Sequence, residues 1–239
     1  MILGIDTATA ATAAAVWAPE GVGGHGYEAR DDPAADARPA HATRLLALVE
    51  EALETAGAGW DDVERIAVGV GPGGFTGLRH GIATARALAQ ARDLPLAGVS
   101  SLEALAAGAA EELATGGGLC DDVPTVLAVI DARRGEVFAA AWRGAERLLE
   151  PVAIAPADLA AHLAAGPLAA AQAVGDGAVR FRKELERAGA AVPADRSPAH
   201  RVSALQVCRL GAVGEPAGRD ALVPDYRRDP DAALPKPPR

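Results

Sequence analysis

The residues best placed by type and spacing to do chemistry form a glycine block, Gly71-Pro72-Gly73-Gly74-Phe75-Thr76-Gly77. An apolar strand over 66–70 precedes it, and a helix is predicted from Leu78. Gly69-Val70-Gly71-Pro72-Gly73-Gly74 spells the G-x-G-x-x-G order whose backbone N–H groups hold a pyrophosphate at a helix N-terminus. A dinucleotide site also needs an acid after the next strand, about 20 residues on. Here that strand, over 95–99, runs into Ser100-Ser101. No Lys-Ser/Thr pair follows the glycines, so a P-loop would lack its charge at the γ-phosphate. What the block specifies is a sharp strand-to-helix turn.

Asp6 is the second candidate. It ends the first apolar run and is followed by Thr7 and Thr9. Such an acid can orient metal-bound water near a phosphate, or it can accept the N–H groups of its own turn. No Lys or Arg stands near it in sequence to steady a transferred phosphate, which favours a vestigial pocket. Asp131 repeats the design: strand, acid, short polar turn (132–135), strand. Asp131 and Glu136 could act as paired carboxylates only if both faced one cleft. The five histidines are His25, His41, His80, His162 and His200, and no two lie four apart. A helical two-histidine metal pair is therefore missing. His41 reads as a helix-start or interface residue and His80 as a surface or contact residue. There is no G-x-S-x-G, and Cys120 sits in a Gly- and Asp-rich break with no evident base, which argues against a nucleophilic hydrolase. No cofactor is expected.

The elements that must position these residues come in a distinctive order. Strands are predicted over 2–5 and 13–17 around a polar turn (6–10), and an edge strand over 23–30. A helix follows over 41–56, then a turn at 60–62, the glycine block, the strand over 95–99 and a helix over 101–114. Ser100 and Glu103 fit a capping box there. The second half begins again with strands, over 125–131 and 136–142. A strand over 148–154, a helix from Pro156, a strand over 172–174, and helices over 179–188 and 203–211 complete it. Thr115-Gly116-Gly117-Gly118 is the natural break. It gives lobes over 1–115 and 119–223 and a Pro-rich tail over 224–239 that is at most partly ordered. Two halves that each open on a hairpin and interleave helices imply a duplicated α/β fold with mixed sheets.

Composition sets the outer limits. The chain has 239 residues, half of them hydrophobic, enough for one large core or two modest ones. Its net charge of −9 argues against free-standing nucleic-acid binding. Two distant cysteines exclude a disulfide scaffold and fit a reducing compartment. No basic leader precedes the first strand and no apolar run approaches 18 residues, so a soluble, cytoplasmic protein with no membrane partner is expected.

The helix over 41–56 carries Ala42, Leu45, Leu46, Val49, Ala52, Leu53 and Ala56 at helical spacing, a core-facing stripe, with Leu48 outside it. On the next helix Gly77, Gly81, Ala85 and Ala89 recur every four residues. Such a row permits close approach of another helix. On that reading Ala85→Glu would break association and spare the fold. The basic residues Arg180, Lys183 and Arg187 are expected to form a solvated helix face, with contact to tRNA in an assembly as the alternative.

Four blocks taken in order resemble the bacterial TsaB (YeaZ-like) family. They are Ile2-Leu3-Gly4-Ile5-Asp6-Thr7-Ala8-Thr9, His41 with Arg44-Leu45-Leu46, Gly71 to Gly81, and Ile130-Asp131-Ala132-Arg133-Arg134-Gly135-Glu136-Val137-Phe138. The Gly-Pro-Gly-x-Phe-Thr-Gly-x-Arg core, ending at Arg79, is the most specific; Gly74 stands where Ser is commoner. Val223-Pro224-Asp225-Tyr226-Arg227 matches the family ending only loosely. The resemblance implies a two-lobed, duplicated actin, sugar-kinase and Hsp70-like (ribonuclease H-like) fold with a small second lobe. In that superfamily the hairpin around Asp6, Thr7 and Thr9, and a second near Asp131, cradle phosphate. It also implies a non-catalytic subunit in the synthesis of threonylcarbamoyladenosine beside the tRNA anticodon. The implied partners are a catalytic TsaD-type paralogue, a TsaE-type ATPase and, when alone, a second copy; tRNA is met only through the complex. The interface expected on these grounds comprises His41, Leu45, Leu48, Val49, Ala52, Gly77, Leu78, Gly81, Ala85 and Ala89. A small-molecule kinase or ATPase using Asp6 and Asp131, and a nucleotide-binding sensor, are the alternatives.

Overall fold

In a computed structural model of the chain, residues 1–19, 25–34, 37–115, 123–164, 168, 170–218 and 221–227 are described. The first lobe is built on β1 (Ile2–Asp6), β2 (Thr12–Trp17), β3 (Gly26–Asp31), β4 (Arg65–Gly71) and β5 (Leu96–Ser100). Its helices are α1 (His41–Thr55), α2 (Phe75–Arg92) and α3 (Ser101–Thr115). The second lobe holds β6 (Thr125–Arg133), β7 (Glu136–Arg143), β8 (Glu146–Ile154), α4 (Pro156–Ala164), β9 (Gln172–Val174), α5 (Asp176–Arg180) and α6 (Arg182–Arg187). A last helix, α7 (Ala204–Val213), follows.

Strand residues alternate faces, and here both faces are apolar, so each sheet must be covered twice. Leu3, Ile5, Ala14 and Val16 point to one side of the first sheet and pack with α1 and α2. Ile2, Ala13 and Ala15 point to the other and join α3, α7 and one face of the second sheet in a central core. Leu127, Val129 and Ala139 on the far face of the second sheet meet Leu159, Leu163 and Leu185 from α4 and α6. The outcome is helices, sheet, helices, sheet, helices.

The sheet orders are β3-β2-β1-β4-β5 and β8-β7-β6-β9. In each, three antiparallel strands are followed by a strand parallel to the first. The second repeats the first without a fifth strand among the described residues, and so makes the smaller lobe. This is the duplicated, two-lobed α/β fold of the actin and ribonuclease H type, with mixed sheets.

Several expected boundaries move. The glycine turn ends at Gly74, and α2 begins at Phe75 rather than Leu78. Gly77, a poor helix former, lies in its first turn because any side chain there would strike the Thr7 carbonyl. The single helix expected over 179–188 is two short ones, broken at Phe181. The first is pressed on β6 through Gly177, and the second buries Leu185. The strand expected from residue 23 begins at Gly26, and 23–24 lie outside the described residues, as do Gly116 to Cys120 and 228–239. α7, expected in the second lobe, lies on the first sheet: a side chain at Gly4 would strike the Ala204 carbonyl and crowd Cys208. Arg65 of β4 fixes its far end by donating to the carbonyls of Gly211, Ala212 and Gly214 at 2.8, 3.1 and 3.0 Å. These are the orphan acceptors of a helix C-terminus. No helix is long and apolar enough to cross a membrane among the described residues.

Candidate functional site

A cleft of about 450 Å³ opens where the hairpin tip after β1, the start of α1, the first turns of α2 and the end of β6 meet. Thr9, Arg38, His41 and His80 line one side; Asp131, Arg133 and Asp176 line the other. Thr9 and Asp131, which the family resemblance implies as two halves of a phosphate cradle, therefore share one cavity. Asp6 and Thr7 do not line it; they lie behind it.

Asp6 is only 2 % exposed. One carboxylate oxygen accepts the Ala8 N–H at 2.9 Å, and the other accepts the Ser101 hydroxyl, at the start of α3, at 2.7 Å. Gly69 of β4 must lack a side chain because a Cβ there would strike this carboxylate. Burial pushes the Asp6 pKa from 3.8 up to about 6, against the opposing pull of the Ala8 and Ser101 bonds and of Arg30. The fold thus favours the protonated acid. That stabilisation is full below pH 3.8 and is lost as pH rises through about 6. Asp6→Asn should therefore gain on the wild type with rising pH, by up to about 3 kcal/mol between pH 4 and pH 7.5. Urea unfolding of both proteins across that range measures it; a constant difference would contradict the burial argument.

The glycine block is spent on the same hairpin. The Gly74 N–H donates to the Ala8 carbonyl at 2.7 Å, and Gly73 leaves room for Ala8 itself. The Thr7 hydroxyl donates to the Gly77 carbonyl at 2.8 Å, and Gly81 leaves room for that hydroxyl. Thr12 and His41 share a 2.8 Å bond between hydroxyl and Nδ1. His41 is buried, and burial, reinforced by His80, lowers its pKa. Gly73 thus fits against the Ala8 backbone, Gly69 against the Asp6 carboxylate and Gly71 against the Leu78 side chain, and the Gly74 N–H is already taken.

Across the cleft, Asp131 Oδ2 pairs with Arg180 at 2.7 Å and Arg133 at 3.3 Å, while Oδ1 accepts the Arg133 N–H at 2.9 Å. Its own N–H donates to Asp176 Oδ1 at 3.0 Å. Burial raises the pKa of Asp176. Gly175, in the left-handed region at φ 107°, is fixed by its N–H bond to His200 Nδ1 at 3.0 Å. Arg180, expected on a solvated face, is thus the counter-ion of Asp131. Glu136 does not line the cleft, so the paired-carboxylate arrangement is not formed there. Cys208 is buried and its thiol pKa raised by that burial. Among the described residues no three His, Cys, Asp or Glu are grouped to hold a metal.

The expected interface residues His41, Leu45, Leu48, Val49, Ala52, Gly77, Leu78, Gly81, Ala85 and Ala89 are all buried inside the chain. They are covered by the hairpin and the first sheet, and so are not themselves a surface. Leu46 and Ala42, assigned to the core stripe, are exposed, and Leu48 is buried. Helical phase explains the exchange: 41, 45, 48, 49 and 52 centre the buried stripe, and Leu46 sits about 100° round from Leu45. Sequence reasoning also missed Arg38, Arg133 and Ser101 as neighbours of the site. Only tertiary contact brings them there.

A family model described as "TsaD: tRNA N6-adenosine threonylcarbamoyltransferase" matches residues 34–204. The "tRNA threonylcarbamoyladenosine biosynthesis protein TsaB" of Escherichia coli K12 is 39 % identical over 142 residues, 59 % of this chain and 54 % of that protein. An uncharacterized protein of Mycobacterium tuberculosis H37Rv is 35 % identical over 231 residues, 97 % of this chain and 93 % of that one. The solved structure of YeaZ from Pseudomonas aeruginosa superposes with a TM-score of 0.71 at 28 % identity, covering 94 % of this chain and 98 % of that one. The chain spans about half the length of the E. coli relative.

Proposed function

This chain belongs to the TsaB/YeaZ group of the TsaD-type family, and from that membership we propose that it is a non-catalytic subunit of the cytoplasmic machinery that makes threonylcarbamoyladenosine in tRNA. One observation carries the reading. The acids a phosphotransfer enzyme would turn on its substrate are engaged within the chain: Asp6 through both oxygens behind the cleft, Asp131 by Arg133 and Arg180. That disfavours the kinase or ATPase alternative.

In this reading the chain docks a catalytic TsaD-type homologue on the outward faces of α1 and α2, pairs with a second copy when alone, and helps seat a TsaE-type ATPase. It meets tRNA only through the assembly. The outward faces carry Ala42, Leu46 and Ala47 on α1 and Ala83, Ala87 and Ala91 on α2, all exposed. Leu46 is a large apolar side chain 55 % in solvent. Short side chains around one larger anchor let two helix pairs approach closely. Reconstitution is the test. The chain alone should transfer no threonylcarbamoyl group to tRNA, and adding it should raise transfer by the homologue. Asp6-dependent nucleotide turnover by the chain alone would reverse the assignment.

A further inference from the structure

After α7 the described residues 214–218 and 221–227 lie along the first lobe and reach the start of α2. The Ala217 N–H donates to the Leu96 carbonyl at 2.8 Å, adding a bridge beyond β5. Leu222 is buried over Gly98, where a side chain would collide with it, and its carbonyl accepts a bond from Arg86. The Asp225 N–H donates to the Val70 carbonyl at 2.8 Å. Tyr226 then lies on the first turn of α2. Its ring centroid is 5.5 Å from that of Phe75, and its hydroxyl accepts from Arg79 Nε at 3.0 Å. The Arg79 guanidinium sits 3.7 Å above the Phe75 ring.

That turn has no side-chain cap, since Gly74 is its N-cap. It is gripped instead from two sides: Thr7 and Ala8 inside, and the returning strap outside. At Leu222 the strap joins the core, but at Tyr226 it adds little, because Phe75 remains 54 % and Tyr226 49 % exposed. What it fixes is direction: ring stacking and the cation–π contact hold three long side chains in one arrangement. Exposed aromatics with an arginine among them match the composition of interface anchors, and Val223, three residues before Tyr226 in the strap, is 64 % exposed. The cluster stands at the N-terminal end of the helix face assigned above to the homologue.

We propose that residues 221–227 form a strap whose Tyr226 positions Phe75 and Arg79 as the anchor by which α2 holds its TsaD-type partner. The proposal rests on the pairing reading above. Arg79 and Phe75 are the contact residues; Tyr226 acts through them.

The test titrates the full chain and its variants with the TsaD-type homologue from the same genome, alongside melting and hydrogen exchange. Tyr226→Ala and Arg79→Ala should each weaken pairing about tenfold, and the double variant should be no weaker than the worse single, since both break one contact. Tyr226→Phe, which keeps the stack, should restore pairing to within about threefold. Melting should move by less than about 3 °C throughout, while amide exchange over 75–80 quickens in Tyr226→Ala. Wild-type pairing by Tyr226→Ala, with Leu46→Glu defective, would overturn the strap and leave the docking reading standing. A melting loss above about 5 °C in Tyr226→Ala would make the strap a stability element and overturn it too. No pairing by the wild type would sink both.

Discussion

Replacing Ala85 by glutamate is expected to destabilise the fold strongly, not merely to separate partners. Ala85 is fully buried, in a cluster with Leu3, Ile5, Leu45 and Ile82 under the outer face of the first sheet. A carboxylate there is cut off from water. The cost of an uncompensated buried charge is about 4 kcal/mol, to which overpacking adds. For a chain of this size that is about 10 °C or more in melting temperature. Circular dichroism on the purified variant decides it. Cooperative melting within about 2 °C of wild type would mean that the small-residue row faces outward after all.

The mirror experiment is Leu46→Glu. Here the side chain is already half in water, so the fold should lose no more than about 0.5 kcal/mol. Pairing should suffer, because a charge would be driven into the centre of a helix–helix contact. A lost anchor plus an unpaired charge amounts to at least about 2 kcal/mol, or about 30-fold in affinity. Titration calorimetry against the TsaD-type homologue measures it. Unchanged affinity would move the docking surface off α1. Together the two variants separate the buried face of the helix pair from its outward face, which the row of glycines and alanines alone could not do.

What sequence could and could not reveal follows the range of the interactions. The order of elements along the chain, the opening hairpins, α1 and β9 are legible because apolar runs, acids and turn residues act locally; the duplicated fold follows from their repetition. The row Gly77, Gly81, Ala85, Ala89 reads from sequence as a seat for another helix, but a row of small residues does not name its neighbour. The neighbours are Thr7 for the two glycines, about 70 residues away along the chain, and the first-sheet core for Ala85 and Ala89. The phase of α1 was misplaced by one position because Leu45, Leu46 and Leu48 are alike in hydropathy, and only the sheet distinguishes them. Arg133 stood in the quoted hairpin motif, yet its pairing with Asp131 depends on the left-handed turn at Arg133, Arg134 and Gly135. Arg38 and Ser101 had no local signal at all. The C-terminal ending, loosely matched as a motif, gains its meaning from Phe75 and Arg79, which it reaches across 147 positions.

The most direct measurement is the sedimentation of this chain mixed with its TsaD-type homologue at micromolar concentration. A one-to-one heteromer that forms at the expense of self-pairs, and that Leu46→Glu dissolves, is the predicted result. Two species sedimenting independently, with this chain a monomer at every concentration, would contradict the account.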